Sequence, residues 1–209
     1  LEILEMAGIP SQSPGDFLKS DVEHAVFTRL DPWHYAIRKD GAEFSFEHFV
    51  AHPGMYENSF IPFAKRTDLF IACHFWDPKS PVLLSREELQ RADIPISIVA
   101  DISCDISGPI ASTIRASSIA DPFYGYNPAT GLESGSFQED SMTVMAVDNL
   151  PGELPRDAST DFGAALMEHV IPELLREKDT GMLDRASITS QGALTDRYGY
   201  LQNYLEGKE

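Results

Sequence analysis

The chain has 209 residues with 43% apolar and 23% charged side chains, enough for one large domain or for one domain and part of a second, with a real hydrophobic core. Its formal net charge is −17, from 33 acidic and 16 basic residues, which repels phosphate backbones and anionic lipid surfaces and so argues against nucleic-acid and membrane partners. Two cysteines, Cys73 and Cys104, are too few and too isolated for a disulfide framework or a zinc site; they read as reduced thiols of a cytoplasmic protein.

Taken in chain order, Leu1 to Gly8 reads as the last two turns of an amphipathic helix, stopped by Gly8 with Pro10 just beyond. A helix met in its middle suggests that a segment lies upstream. Ser11 to Asp21 is a polar loop, Ala25 to Leu30 a short β-type run, and Asp31-Pro32 a turn. Phe44 to His52 is mixed, helical or irregular, and Asn58 to Arg66 has helical character despite Pro62. Asp68 to Trp76 is a continuous apolar run, the pattern of a strand buried on both faces of a parallel sheet. Ser85 with Glu88 three residues on is a capping-box start for a helix, and Ile96 to Ile102 is a second buried strand ending in the polar turn Ser103-Cys104-Asp105.

The alternation of strands and helices predicts an α/β fold with a doubly wound parallel sheet. Ser117 to Ser136, rich in Gly, Pro and Asn, reads as a long functional loop. Ser141 to Val147 is a strand closing at Asp148-Asn149-Leu150-Pro151. Asp157 to Leu175 is a strong helix, Arg185 to Thr189 is strand-like, and Asp196 to Leu205 is a short helix with Tyr198, Leu201 and Tyr204 or Leu205 on one face.

Ligands of open parallel sheets bind beyond the carboxyl ends of the strands. Three such ends carry polar groups here: Cys73-His74-Phe75-Trp76, Asp101 to Asp105, and Asp148-Asn149-Leu150. A carboxylate at such a place holds a substrate ammonium, orients a ribose hydroxyl or caps a turn, and spacing alone leaves the three open for Asp101, Asp105 and Asp148. His48 and His52 are four apart but lack a third ligand and the zincin glutamate, so no metal is expected. Trp33, Tyr35 and Trp76 read as packing residues. The chain has no P-loop and no G-x-S-x-G elbow, which excludes the usual phosphoryl-transfer and serine-hydrolase signatures. A Rossmann glycine fingerprint is also absent; it would sit at the head of a first helix of which only the end is present.

The segment Ala100 to Gly108, then Arg115 and Ile119-Ala-Asp-Pro-Phe-Tyr124, resembles lysine–ketoglutarate reductase and the lysine-forming saccharopine dehydrogenases. Met145-Ala-Val-Asp-Asn-Leu-Pro151 with Leu154-Pro-Arg-Asp-Ala-Ser159 and Phe162-Gly163 is similar to the same family, as are Arg185 to Thr189, Gly192, Leu194-Thr195 and Tyr198. The likeness runs from about Asp68 to Tyr204.

It implies the Rossmann-like folds of the alanine dehydrogenase and transhydrogenase superfamily. Residues 1–177 would be the NAD(P)-binding domain, lacking its first strand and glycine loop, and 178–209 a segment returning to a substrate domain. The implied reaction is reductive condensation of lysine with 2-oxoglutarate to saccharopine, or its reverse, with hydride passing between NAD(P)H and an imine carbon.

Carried over, Ile102 contacts the cofactor, as do Cys73, His74 and Phe75 on the loop after their strand. Asp148, Asn149 and Leu150 lie near the nicotinamide, with Asp148 balancing a catalytic lysine. Ser103, Cys104 and Asp105 line the substrate site. Asp31 or Arg29 would read the adenosine ribose, and with both present NAD and NADP stay open. The family's acid/base lysine and histidine belong to an N-terminal half that is not in this sequence, so that half is an expected partner; a homodimer is also compatible with the resemblance. The alternatives are an alanine-dehydrogenase-like enzyme acting on a smaller amino acid, or a non-catalytic nucleotide-binding module.

Overall fold

The computed structural model describes residues 2–19, 21–176 and 180–208. Leu1, at the head of the expected opening helix, and the expected domain boundary at residues 177 and 178 lie outside them. Packing divides the chain into two units, Leu1–Leu150 and Pro151–Glu209.

The first unit is built on a five-stranded sheet: β1 (Leu69–Ala72), β2 (Ile98–Asp101), β3 (Phe123–Asn127), β4 (Leu132–Ser134) and β5 (Met142–Met145), in the order β1-β2-β5-β3-β4. β1, β2 and β5 are mutually parallel, and β3 runs antiparallel to both β5 and β4. This is the Rossmann-like, mostly parallel α/β arrangement that the alternating pattern predicts. Register places Ala72 beside Asp101 and Ala100 beside Met145, so the carboxyl ends of the parallel strands open on one side.

The core gathers Phe60, Phe63, Leu84, Val99, Ile110, Tyr124, Tyr126 and Val144. β-branched Val99 and Val144 are wholly buried, as expected of side chains that fill a pleated surface well. Ser85 and Glu88 form the predicted capping box (Ser85 N–H to Glu88 Oε2, 2.7 Å) and start the helix Arg86–Leu89, which buries Leu89. Pro62 falls in the first turn of the helix Ile61–Ala64, where its missing N–H costs no hydrogen bond, and Ser45 caps the helix Phe46–Ala51.

Three expectations are corrected. The run from Asp68 to Trp76 is a strand only over Leu69–Ala72, and it is not buried on both faces: Leu69 and Ile71, on one face, are 49% and 43% exposed, against 1% for Ala72 on the other. An apolar run marks a strand but does not say how many neighbours cover it. The stretch Ser117 to Ser136 is not one long loop but contains the β3–β4 hairpin. Its turn is made by the Asn127 side-chain oxygen, which accepts from the Ala129 and Thr130 amides, and by Gly131 at φ +73°. The Gly and Asn that read as loop are the turn of a hairpin. Arg185 to Thr189 is not a strand: Met182–Ala186 is helical, and only Thr189–Ser190 pairs, with Ala193–Leu194, through Gln191 and Gly192, both at positive φ.

The second unit carries the expected long helix in three pieces. Pro155–Ala165 is α-helical, Leu166–Val170 widens to a π-turn, and Ile171–Leu174 resumes. Pro172 lacks an N–H and its ring would strike the carbonyl four residues back, so the ladder shifts and Ile171 N–H bonds Leu166 O, five residues back. The last helix is also split, into Asp196–Leu201 and Gln202–Leu205. Tyr204 and Leu205 on its expected apolar face are exposed.

Candidate functional site

Each parallel strand delivers a short polar segment to the same edge of the sheet. Beyond β1, Cys73 is exposed, His74 is half-buried and Phe75 is 90% exposed. The His74 amide donates to Ser103 Oγ (3.1 Å), tying the end of β1 to the turn after β2 across 29 residues of sequence. Ile102 N–H bonds Ala72 O (2.8 Å) and leaves its side chain 40% exposed. Trp76 donates its indole N–H to Pro81 O (3.2 Å), a packing role.

Beyond β2, Asp101 is wholly buried. It accepts the Cys104 amide (3.0 Å) and the Thr113 hydroxyl (2.7 Å). Cys104 sits in left-handed backbone at φ +51°, and its thiol donates to Ala146 O (3.2 Å), just past β5. Burial pushes the Cys104 thiol up, and the carboxylates of Asp101, Asp148 and Asp105 push it further. Asp148 therefore lies within electrostatic reach of the turn after β2. Asp105 is raised by burial and by Asp101, with His74 opposing. His74 is lowered by burial, with Asp101 and Asp105 opposing, and its Nε2 is buried without a hydrogen-bond partner.

Beyond β5, Asp148 and Asn149 form one wall of an open cleft of about 540 Å³, within the range of nucleotide and ligand sites. The other wall is the segment before β3, with Ser117, Ser118 and Asp121. That segment is stitched to the end of β5: Ser117 N–H donates to Ala146 O (2.8 Å), and Ala146 N–H to Ser117 Oγ (3.0 Å). The sequence reading puts Ser117, Ser118 and Asp121 in a functional loop, and Asp121 in the family-like Ile119–Tyr124 segment, but gives none of them a place in the site, because no periodicity points them at a strand end. Arg115 also lines the cleft, but its guanidinium is held by Glu133 (2.8 Å at both contacts) and lies over the Tyr124 ring at 4.4 Å. Leu150 opens the 3₁₀ turn Leu150–Gly152.

Ser103, Cys104, His74 and Asp148 are thus brought together from three strand ends. Asp31 is not tied into this group: it caps the helix Pro32–Tyr35 and pairs with Arg29 (2.8 Å), so the two residues that could read a ribose engage each other. His48 bonds the Tyr56 hydroxyl through Nδ1 (3.1 Å), and its ring lies 4.9 Å from that of His52. Among the described residues no three His, Cys, Asp or Glu side chains converge as metal ligands, and no helix is long and apolar enough to cross a membrane.

Residues 39–202 match the family model described as alanine dehydrogenase/PNT, C-terminal domain. The chain belongs to this family. Relatives include an alpha-aminoadipic semialdehyde synthase of Arabidopsis thaliana, 33% identical over 160 residues that cover 73% of this chain and 15% of the relative. The mitochondrial alpha-aminoadipic semialdehyde synthase of Mus musculus is 26% identical over 90% of this chain and 23% of the relative. A saccharopine dehydrogenase [NAD(+), L-lysine-forming] of Neurospora crassa is 32% identical over 56% of this chain and 30% of the relative. The chain therefore spans less than a third of the length of each of these relatives.

Proposed function

We propose that this chain is the nicotinamide-nucleotide-binding part of an oxidoreductase of lysine metabolism, of the saccharopine dehydrogenase (lysine-forming) or lysine–ketoglutarate reductase type. The observation that carries the reading is the convergence of three parallel-strand ends on Cys104, in a chain whose relatives bear those names. In this reading residues 1–177 bind NAD or NADP and 178–209 belong to the substrate domain.

The cleft beside Asp148 and Asn149 fits a nicotinamide nucleotide: it is open, lies at the carboxyl ends of the strands, and is walled by small residues and hydrogen-bonding groups. When bound, the nucleotide supplies or accepts the hydride. Asp148 and Asn149 hold its nicotinamide end, with Leu150 beside them. Ile102, Cys73, His74 and Phe75, at the ends of the two neighbouring parallel strands, would meet the rest of the nucleotide, and Asp31 would reach the ribose only on leaving Arg29. Asp148 also places negative charge where a lysine of the N-terminal half would act.

Ser103, Cys104 and Asp105 face the amino-acid substrate. Ser103 Oγ accepts the His74 amide with one lone pair, and its hydroxyl would donate to a substrate carboxylate or carbonyl. The N-terminal half completes the site. We assign the protein to the cytoplasm, whereas the mouse relative is a mitochondrial synthase; cell fractionation distinguishes the two.

The test is oxidation of NADH and NADPH, followed by absorbance, by the protein expressed from the complete gene with lysine and 2-oxoglutarate. Turnover that needs both substrates establishes the reading and gives the cofactor. Cofactor binding without turnover rejects it. A second reading, an alanine-dehydrogenase-like enzyme of a smaller amino acid, is favoured by the name of the matching family model and is tested by turnover with pyruvate and ammonium.

A further inference from the structure

The turn after β2 is held in a conformation that its own sequence does not favour. Cys104 carries a Cβ and yet sits at φ +51°, and Ser107 follows at φ +55°. Left-handed backbone at two non-glycine residues needs outside support. Asp101 supplies it from the last position of β2. One carboxylate oxygen accepts the Cys104 amide, and the other accepts the hydroxyl of Thr113, itself wholly buried. Thr113 O in turn accepts the Ser107 amide (3.1 Å), and Gly108 N–H bonds Asp105 O (2.9 Å), closing the segment on itself. The packing there is tight, because a Cβ on Gly108 would meet the Asp105 backbone and side chain. A wholly buried carboxylate is costly to keep and is ordinarily retained only where its acceptors are used.

We propose that Asp101 is the positioning residue of the Ser103–Asp105 turn. By bracing the Cys104 amide against the Thr113 hydroxyl, it sets Ser103 beside His74 and the Cys104 thiol on the Ala146 carbonyl. The inference rests on the reading of this turn as the substrate-facing one. Asp101 itself touches no substrate; it fixes the places from which Ser103 and Asp105 do so.

The experiment uses the protein expressed from the complete gene and the variants Asp101→Asn, Thr113→Val and Thr113→Ser. Alkylation of Cys104 by iodoacetamide, read by peptide mass spectrometry, reports the turn without requiring turnover. Steady-state kinetics separate KM for the amino-acid substrate from kcat, and fluorescence titration reports NADH binding. Asp101→Asn and Thr113→Val are expected to speed Cys104 alkylation and raise KM by about tenfold, the worth of one hydrogen bond to a charged group, with kcat and NADH affinity changed much less. Thr113→Ser, which keeps the hydroxyl, is expected to restore wild-type values.

Wild-type alkylation and KM in both disruptive variants would overturn the proposal. So would a parallel fall in NADH binding, kcat and melting temperature, which marks mere structural support. If Asp101→Asn does not fold, Thr113→Val, which keeps the carboxylate, decides alone. Faster alkylation with no turnover in any form, wild type included, would reject the saccharopine reading while leaving Asp101 in its positioning role.

Discussion

Cys104 donates its thiol to the carbonyl of Ala146 across 3.2 Å, joining two strand ends that lie 42 residues apart in sequence. The same cysteine takes its backbone support from Asp101 and lies within the field of Asp148. One small side chain therefore joins the proposed substrate turn to the proposed nicotinamide cleft. It packs there as a protonated thiol, pushed up by burial and three carboxylates, rather than as a nucleophile.

Asp148→Ala is expected to lower kcat in the complete enzyme by on the order of 100-fold, the usual scale for a group that supports acid/base chemistry. Steady-state rates with lysine and 2-oxoglutarate check this. Wild-type rates would remove Asp148 from the site.

Ser103→Ala removes the acceptor of the His74 amide together with the hydroxyl offered to substrate. KM for the amino-acid substrate is expected to rise by about tenfold, with kcat less affected. An unchanged KM would take Ser103 out of the substrate site.

The acid side of the stability profile should report His74. Burial lowers its pKa below the ordinary value of 6.5, with Asp101 and Asp105 opposing. The fold thus favours the neutral ring, and the unfolded chain binds the extra proton first. Its contribution is present above the unfolded pKa and is lost as pH falls from 6.5 toward the depressed folded value. Asp105, raised by burial and by Asp101, acts in the opposite sense and at lower pH, around and above the ordinary carboxylate value of 3.8. The urea midpoint of the wild type is expected to fall between about pH 7.5 and about pH 5.5, and His74→Gln to flatten that fall. Equal slopes in the two proteins would show that His74 does not titrate differently on folding.

Gly125 in β3 faces Gly135 so closely that a Cβ would press into the Gly135 carbonyl and the Ser134 hydroxyl. Gly125→Ala is expected to cost about 1–3 kcal/mol, because backbone rather than a flexible side chain must give way. Urea unfolding measures it. A cost near zero would mean that the β3–β4 hairpin yields freely.

At Leu84, wholly buried in the core cluster and bridged to Ile110, truncation to Ala leaves a cavity. The expected loss is about 2–5 kcal/mol, read by the same denaturant titration. Full wild-type stability would place Leu84 outside the core.

Much of the frame was legible in the sequence where the signal is local. Ser85 and Glu88 cap each other within one helical turn, and the apolar runs around Leu69, Val99 and Val144 become the three parallel strands. Ser103-Cys104-Asp105 and Asp148-Asn149 could be placed at one edge of the sheet because parallel strands end on the same side whatever the details. The order of the motifs was enough to mark the family.

Tertiary structure decided what depends on distant neighbours. Whether Leu69 and Ile71 were covered turned on what packs against the face they share, which no run of apolar residues encodes. The cleft acquired Ser117 through its two bonds to Ala146, 29 residues away in sequence, and with it Ser118, which exchanges backbone bonds with Asp121. Asp101, left open in the sequence between ligand and cap, proved to brace Cys104 against Thr113. The physical reason is the same in each case: hydrogen-bond periodicity and capping act within a few residues, whereas burial and the pairing of buried polar groups are fixed only when the chain closes on itself.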